Sequence, residues 1–174
     1  MNSSSSIEIR VAEVADTAAI ASLLAASFAD YFALYTPAGY AATAITAHEI
    51  ASRMKEGPVW VALGDGLIVG TVSVVAQGES LYIRGMAVLP SARGTGIGVA
   101  LLRQVEQFAA NGSFKRLYLS TTPFLDRAIR LYEHFGFRRI TAGPHDLFGT
   151  PLFTMEKVLN KQGSQKQQDS ESKA

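Results

Sequence analysis

The chain has no cysteine. Disulfides, thiolate metal ligands and a cysteine nucleophile are therefore excluded, and a reducing cytoplasm fits that composition. Excess charge is lacking too: 16 Lys and Arg stand against 15 Asp and Glu, a net +1. No global field draws DNA, RNA or an anionic membrane toward such a chain. The three histidines, His48, His134 and His145, show no ligand spacing, so no metal is expected. No G-x-S-x-G pentapeptide occurs, which excludes that class of hydrolase. The most apolar region, Val59 to Ala76, is broken by Gly64-Asp65-Gly66 and does not read as a membrane helix. Met1 to Ser6 is serine-rich, without the positive start and apolar run of a signal peptide. There is no internal repeat.

What is present is one domain's worth of chain, 174 residues with 48% hydrophobic content. Residues 1–6 read as a frayed end, 7–159 as the folded domain, and 160–174, rich in Gln, Lys and Ser, as a disordered tail. Ile7 to Val11 alternates like a half-buried strand. Asp16 is placed to cap a helix with Ile20, Leu23, Leu24 and Phe28 on one face, which Thr36-Pro37-Ala38-Gly39 breaks. A second helical pattern covers Thr43 to Lys55 and ends at Gly57-Pro58. Val59 to Leu63 and Leu67 to Val75 predict a hairpin about Asp65-Gly66, followed by a strand over Leu81 to Leu89. A helix over Gly96 to Ala110 stops at Asn111-Gly112, and Arg116 to Ser120 reads as a strand. Thr122-Pro123 opens another helix, striped by Leu125, Ala128, Ile129, Tyr132 and Phe135 and closed by Gly136. Phe137 to Thr141 and Phe153 to Val158 are two last strands around a polar loop. This order predicts an α/β architecture, a central mixed sheet of about seven strands with helices on both faces.

The most informative stretch runs from Gly85 to Leu102, GMAVLPSARGTGIGVALL. Pro90 ends the strand because it has no NH for the ladder. Gly94, Gly96 and Gly98 then let the backbone turn tightly into a helix whose first NH groups and dipole favour an anion. It is not a Walker loop, because Val99 and Ala100 stand where Lys and Ser or Thr are needed. Nor does it match G-x-G-x-x-G, since the third glycine would fall on Val99. Arg93-Gly94-Thr95-Gly96-Ile97-Gly98 instead resembles the R/Q-x-x-G-x-G/A signature of the GNAT family of N-acetyltransferases. A second block, from Ala128 to Phe137, is similar to that family's A-x-x-L-Y-x-x-x-G-F segment.

The resemblance covers Ile7 to about Leu159 and implies a GNAT-like acyl-CoA N-acyltransferase fold. It also implies acetyl-CoA as co-substrate and a primary amine as acceptor. Backbone NH groups of Gly94, Thr95, Gly96, Ile97, Gly98 and Val99 would meet the pyrophosphate, while the Arg93 side chain would either add charge or hold the loop. The backbone of Met86, Ala87 and Val88 would hold the pantetheine arm like an added strand, with Met86 NH polarising the thioester carbonyl and Gly85 marking a bulge. Tyr132 corresponds to the tyrosine that protonates the departing thiolate; read from periodicity alone, it is a core residue of its helix. Where relatives carry a glutamate base, this chain has Tyr82 and Ser120, and Leu125 replaces an asparagine. Glu79, His48 and Glu49 remain as bases acting through water, though each reads more readily as a solvated surface residue.

The resemblance thus predicts an N-acyltransferase. The alternative class is an acyl-CoA sensor without turnover. The expected acceptor is a small molecule or peptide amine, with no nucleic acid and no membrane, and a homodimer is compatible with the sequence.

Overall fold

The computed structural model describes residues 6–160. Residues 1–5 and 161–174, which contain nearly all of the expected disordered ends, lie outside the described residues. Strands β1 (Glu8–Val11), β2 (Val59–Gly64), β3 (Leu67–Gln77), β4 (Ser80–Val88), β5 (Arg116–Thr121), β6 (Arg138–Ile140) and β9 (Phe153–Val158) form one seven-stranded sheet in the order β1-β2-β3-β4-β5-β9-β6. Every neighbouring pair is antiparallel except β4 and β5. Parallel neighbours need a crossover, and helix α4 (Ile97–Asn111) supplies it.

Alternation along the strands feeds two cores, one on each face. Trp60 and Ala62 of β2 join Leu81 and Ile83 of β4, Leu117 and Leu119 of β5, and Ile97, Leu101, Leu102 and Val105 of α4. Val59 and Val61 point the other way, to Ile20, Leu23 and Leu24 of α1 (Thr17–Phe28) and Ile50 of α3 (Ala47–Met54). Helix α5 (Asp126–His134) sends Tyr132 into the first of these cores.

Four sequence expectations are corrected. Asp16 does not cap α1 through its side chain; its carboxylate accepts from Arg10 Nη1 at 2.7 Å and Nη2 at 3.0 Å, and from Glu13 N at 2.7 Å. Thr36-Pro37 starts a helix rather than only breaking one: Thr36 Oγ1 accepts from Gly39 N at 3.0 Å and Pro37 opens α2 (Pro37–Thr43), as suits a residue without an NH. The pattern over Thr43 to Lys55 holds one helix, α3, which begins only after a capping box between Thr46 and Glu49, while Thr43 is the last residue of α2. Finally, the polar loop before β9 holds a small separate hairpin, β7 (Asp146–Leu147) with β8 (Thr150–Pro151). Thr36 fastens it to α2, donating from Oγ1 to Phe148 O at 2.7 Å and from N to Thr150 Oγ1 at 2.9 Å.

Between α1 and α2 the chain runs through a 3-10 stretch, Ala29–Leu34, held by aromatic contacts of Tyr35 with Tyr40 and of Tyr31 and Tyr35 with Phe124. Val14–Leu34 as a whole meets the length and hydropathy expected of a membrane-crossing helix. In this fold its apolar stripe of Ile20, Leu23 and Leu24 packs on the sheet.

Candidate active site

The site begins where β4 and β5 part. Their register runs only from Ser80 opposite Arg116 to Tyr82 opposite Tyr118. Beyond it, Gly85 takes φ +60°, and the β3 to β4 register slips by one residue between Ser73–Arg84 and Thr71–Ala87. That is a glycine bulge, and it turns the rest of β4 away from β5. Leu89 N donates to Val69 O of β3 at 2.9 Å. Alternation therefore faces Ala87 toward β3, and turns the NH groups of Met86 and Val88 toward the gap. Ala87 lines the cavity but its NH does not serve the gap, which narrows the expected strand contact to Met86 and Val88.

At the end of β4 the chain turns through Pro90–Ala92 and Arg93 to α4. Gly94 and Gly96 adopt φ of +78° and +86°, a left-handed backbone that glycine takes without penalty. The first bond of α4 is Ala100 N to Gly96 O at 3.0 Å, and no side chain caps the helix. The NH groups of Ile97, Gly98 and Val99 consequently have no intrahelical acceptor and add to the positive end of a helix of 15 residues.

Arg93, left open between two roles, is occupied as a brace: Nε donates to Val88 O at 3.3 Å and Nη2 to Ser27 O at 3.1 Å. It joins the end of α1 to the end of β4. Thr95 donates from Oγ1 to Ala92 O at 2.6 Å, and its side chain is not part of the cavity wall. Gly98 has a different function from that of its neighbours, for a Cβ there would stand 2.7 Å from Leu131 Cδ2. It is the close contact of α4 with α5 rather than an open edge of the turn.

These elements enclose a cavity of about 500 Å³. Met86, Ala87, Val88, Arg93, Gly94, Gly96, Ile97, Gly98, Val99 and Tyr132 all line it, so apart from Thr95 the residues expected from the sequence converge. Ser27, Phe28 and Tyr31 from the α1 side, and Arg127 and Arg130 from α5, line it as well and were not anticipated. The two arginines had a legible signal, an i, i+3 cation pair on the helix that follows β5.

Tyr132 lies both in the core and on the cavity wall. Its ring is buried at 7% exposure in the core beside Phe137, with centroids 5.9 Å apart. Among the described residues its hydroxyl has no hydrogen-bond partner, and burial pushes the phenol far above its usual range. It is therefore protonated at neutral pH. Among the described residues no carboxylate lines the cavity: Glu79 pairs with Lys115 at 2.6 Å, Glu49 closes its helix cap, and His48 is exposed. Ser120 lies 3.2 Å from Thr154, hydroxyl to hydroxyl.

A strand edge opened by a bulge runs here into a helix start whose first NH groups are unpaired, a geometry suited to an extended molecule with an anionic end. This chain belongs to the acetyltransferase (GNAT) family, whose sequence model matches residues 20–137. It is similar to the uncharacterized N-acetyltransferase YjgM of Escherichia coli K12, 36% identical over 85 residues that make up 47% of this chain and 51% of the relative. It is likewise similar to human N-acetylaspartate synthetase, 39% identical over 103 residues, 58% of this chain and 34% of that one. The match thus spans about half of the first relative and a third of the second. The fold resembles PaiA N-acetyltransferase of Thermoplasma acidophilum, solved in complex with coenzyme A, with a TM-score of 0.76 at 16% identity over 88% of this chain and 99% of that one. It also resembles the ribosomal-protein-S18-alanine N-acetyltransferase of Escherichia coli, with a TM-score of 0.72 at 17% identity, covering 92% and 98%.

Proposed function

We propose that the protein is an N-acetyltransferase that moves an acetyl group from acetyl-CoA to a primary amine by direct attack. The observation that carries this reading is a single cavity that reaches from the free NH groups after Gly94, past Met86 and Val88, to Tyr132. Family membership and a fold neighbour solved with coenzyme A support the choice of co-substrate. The residues present fit it: the turn and α4 start offer NH groups to a pyrophosphate, Arg127 and Arg130 add positive charge to the cavity wall, and the β4 edge offers the pantetheine arm a strand partner.

Met86 NH donates to the thioester oxygen and stabilises the charge that develops there as the amine nitrogen attacks the carbonyl carbon. Tyr132 gives its proton to the sulfur as the carbon–sulfur bond breaks. Its raised pKa is no obstacle in this setting, because the dry wall that raises a phenol raises a thiol too, and the two proton affinities move together. With no carboxylate among the described residues of the cavity wall, the amine reaches the site neutral and releases its second proton to water. Relatives named for N-acetylaspartate support a small amine as acceptor. The test is acetyl-CoA-dependent thiol release across a panel of amines. Release with at least one amine is expected, and tight coenzyme binding with no release from any amine would favour the sensor.

A further inference from the structure

We infer that the acceptor is a short amine bearing a carboxylate, and that Arg53, with Arg84 beside it, holds that carboxylate next to the β4 bulge. This deepens the transferase reading above and rests on it for the identity of the reacting centre.

Arg53 leaves the last turn of α3 and brings Nη1 to 3.0 Å from the point where a Cβ on Gly85 would stand. Gly85 immediately precedes Met86, so the guanidinium lies one residue along β4 from the NH proposed to polarise the acyl carbonyl, outside the wall of the cavity itself. Any side chain at position 85 would press on it. Arg53 is partly buried, yet among the described residues no carboxylate pairs with it and no hydrogen bond holds it. A guanidinium stripped of part of its water normally has a carboxylate fork to replace it.

The neighbouring acids are engaged elsewhere. Glu56 bonds Arg84 Nη2 at 2.5 Å. Glu49 accepts from Thr46 N and Oγ1, both at 2.8 Å. Two arginines close enough to repel each other thus share one paired acid, and one positive charge is left over. Burial first and Arg84 second push Arg53 below the ordinary arginine range, as an unmatched cation requires. Arg84 has a deficit of its own, since its Nε is buried without a partner. A carboxylate supplies what both lack: one negative charge and a planar pair of acceptors. Tyr82, in the field of both arginines, and Tyr118 stand 5.0 Å apart, ring to ring, on β4 and β5. Because the guanidinium is one residue from Met86, the amine and the carboxylate must be only a few bonds apart, as in a free amino acid.

The test uses the full chain and a matched panel, the common free amino acids each beside its own carboxamide, at low salt. Thiol release from acetyl-CoA and the melting temperature with coenzyme bound are read in parallel. At least one acid is expected to exceed its amide in kcat/KM by roughly tenfold to a hundredfold, the range for a charge-assisted hydrogen bond. Arg53→Gln should bring that acid down to its amide, move the amide less than about threefold, and leave coenzyme affinity in place. Arg53→Lys, which keeps the charge and loses the fork, should recover part of the difference. Equal rates for acid and amide in the wild type, or an unchanged acid preference in Arg53→Gln, overturn the inference while leaving the transferase reading intact. If no amine releases thiol, the transferase reading fails; a melting shift given by acids, not by amides, and abolished in Arg53→Gln then upholds the carboxylate site, and its absence overturns that as well.

Discussion

Replacing Gly96 by Asp and by Asn separates the two things the turn contributes, backbone shape and affinity for an anion. Gly96 stands at φ +86°, and no heavy atom lies within 4 Å of where its Cβ would be, so either side chain projects into open space. The left-handed backbone costs an ordinary residue about 1 to 2 kcal/mol, and Asn and Asp are the side chains that tolerate it best. The pair share that cost and differ in charge. A carboxylate about 5 Å from one pyrophosphate charge, at an effective dielectric of about 20, loses about 3 kcal/mol, roughly a hundredfold in affinity. The same carboxylate at the start of α4 favours the helix dipole by about 0.3 to 1 kcal/mol. Stability and binding should therefore move in opposite directions: Gly96→Asp melts no lower than Gly96→Asn yet binds acetyl-CoA about a hundredfold more weakly. Calorimetric titration with acetyl-CoA, alongside thermal melts, measures both. An Asp variant that binds within threefold of the Asn variant would refute the placing of phosphate at this turn.

Arg93 is read as a brace, so Arg93→Gln should lower stability by about 1 to 3 kcal/mol through its two carbonyl contacts and weaken acetyl-CoA binding only modestly; a hundredfold loss of affinity at unchanged melting temperature would make it a ligand contact instead. Asp16 is held below the usual carboxylate range by Arg10 and the Glu13 NH, so its contribution is present above about pH 4 and lost as pH falls through its folded pKa. Melting curves of wild type and Asp16→Asn should accordingly differ by a constant amount from pH 5 to 8 and converge toward pH 2, and a gap that widens in acid would contradict that pairing.

The sheet was legible because its strands alternate and its turns carry strong signals, Asp65-Gly66 above all. The region between α1 and β2 was not. Thr36-Pro37 serves equally as a helix stop and as an N-cap with proline in the first turn, and only the Thr36 bond to Gly39 N decides between them. Thr46 and Glu49 spell a capping box, but an apolar stripe running through Thr43 to Lys55 hid the interruption. The hairpin of β7 and β8 has too few residues per strand to show a period. At the site, glycine spacing located the turn but could not tell Gly96, which needs its dihedral, from Gly98, which needs closeness to Leu131. Tyr31 and Ser27 reach the cavity only because α1 crosses the sheet, and no local pattern carries that information. Arg53 is the same kind of case: its meaning comes from the bulge at Gly85, some thirty residues later in sequence.

The central claim, that acetyl transfer occurs in this cavity with Tyr132 as proton donor, meets its most direct test in Tyr132→Phe. The ring and its packing on Phe137 are retained, and the lost hydroxyl has no partner among the described residues to orphan, so the melting temperature and acetyl-CoA affinity should stay near wild type. Turnover of a responsive amine should fall by roughly a factor of 10² to 10⁴. A Tyr132→Phe protein that binds coenzyme normally and turns over within a few fold of wild type would contradict the account.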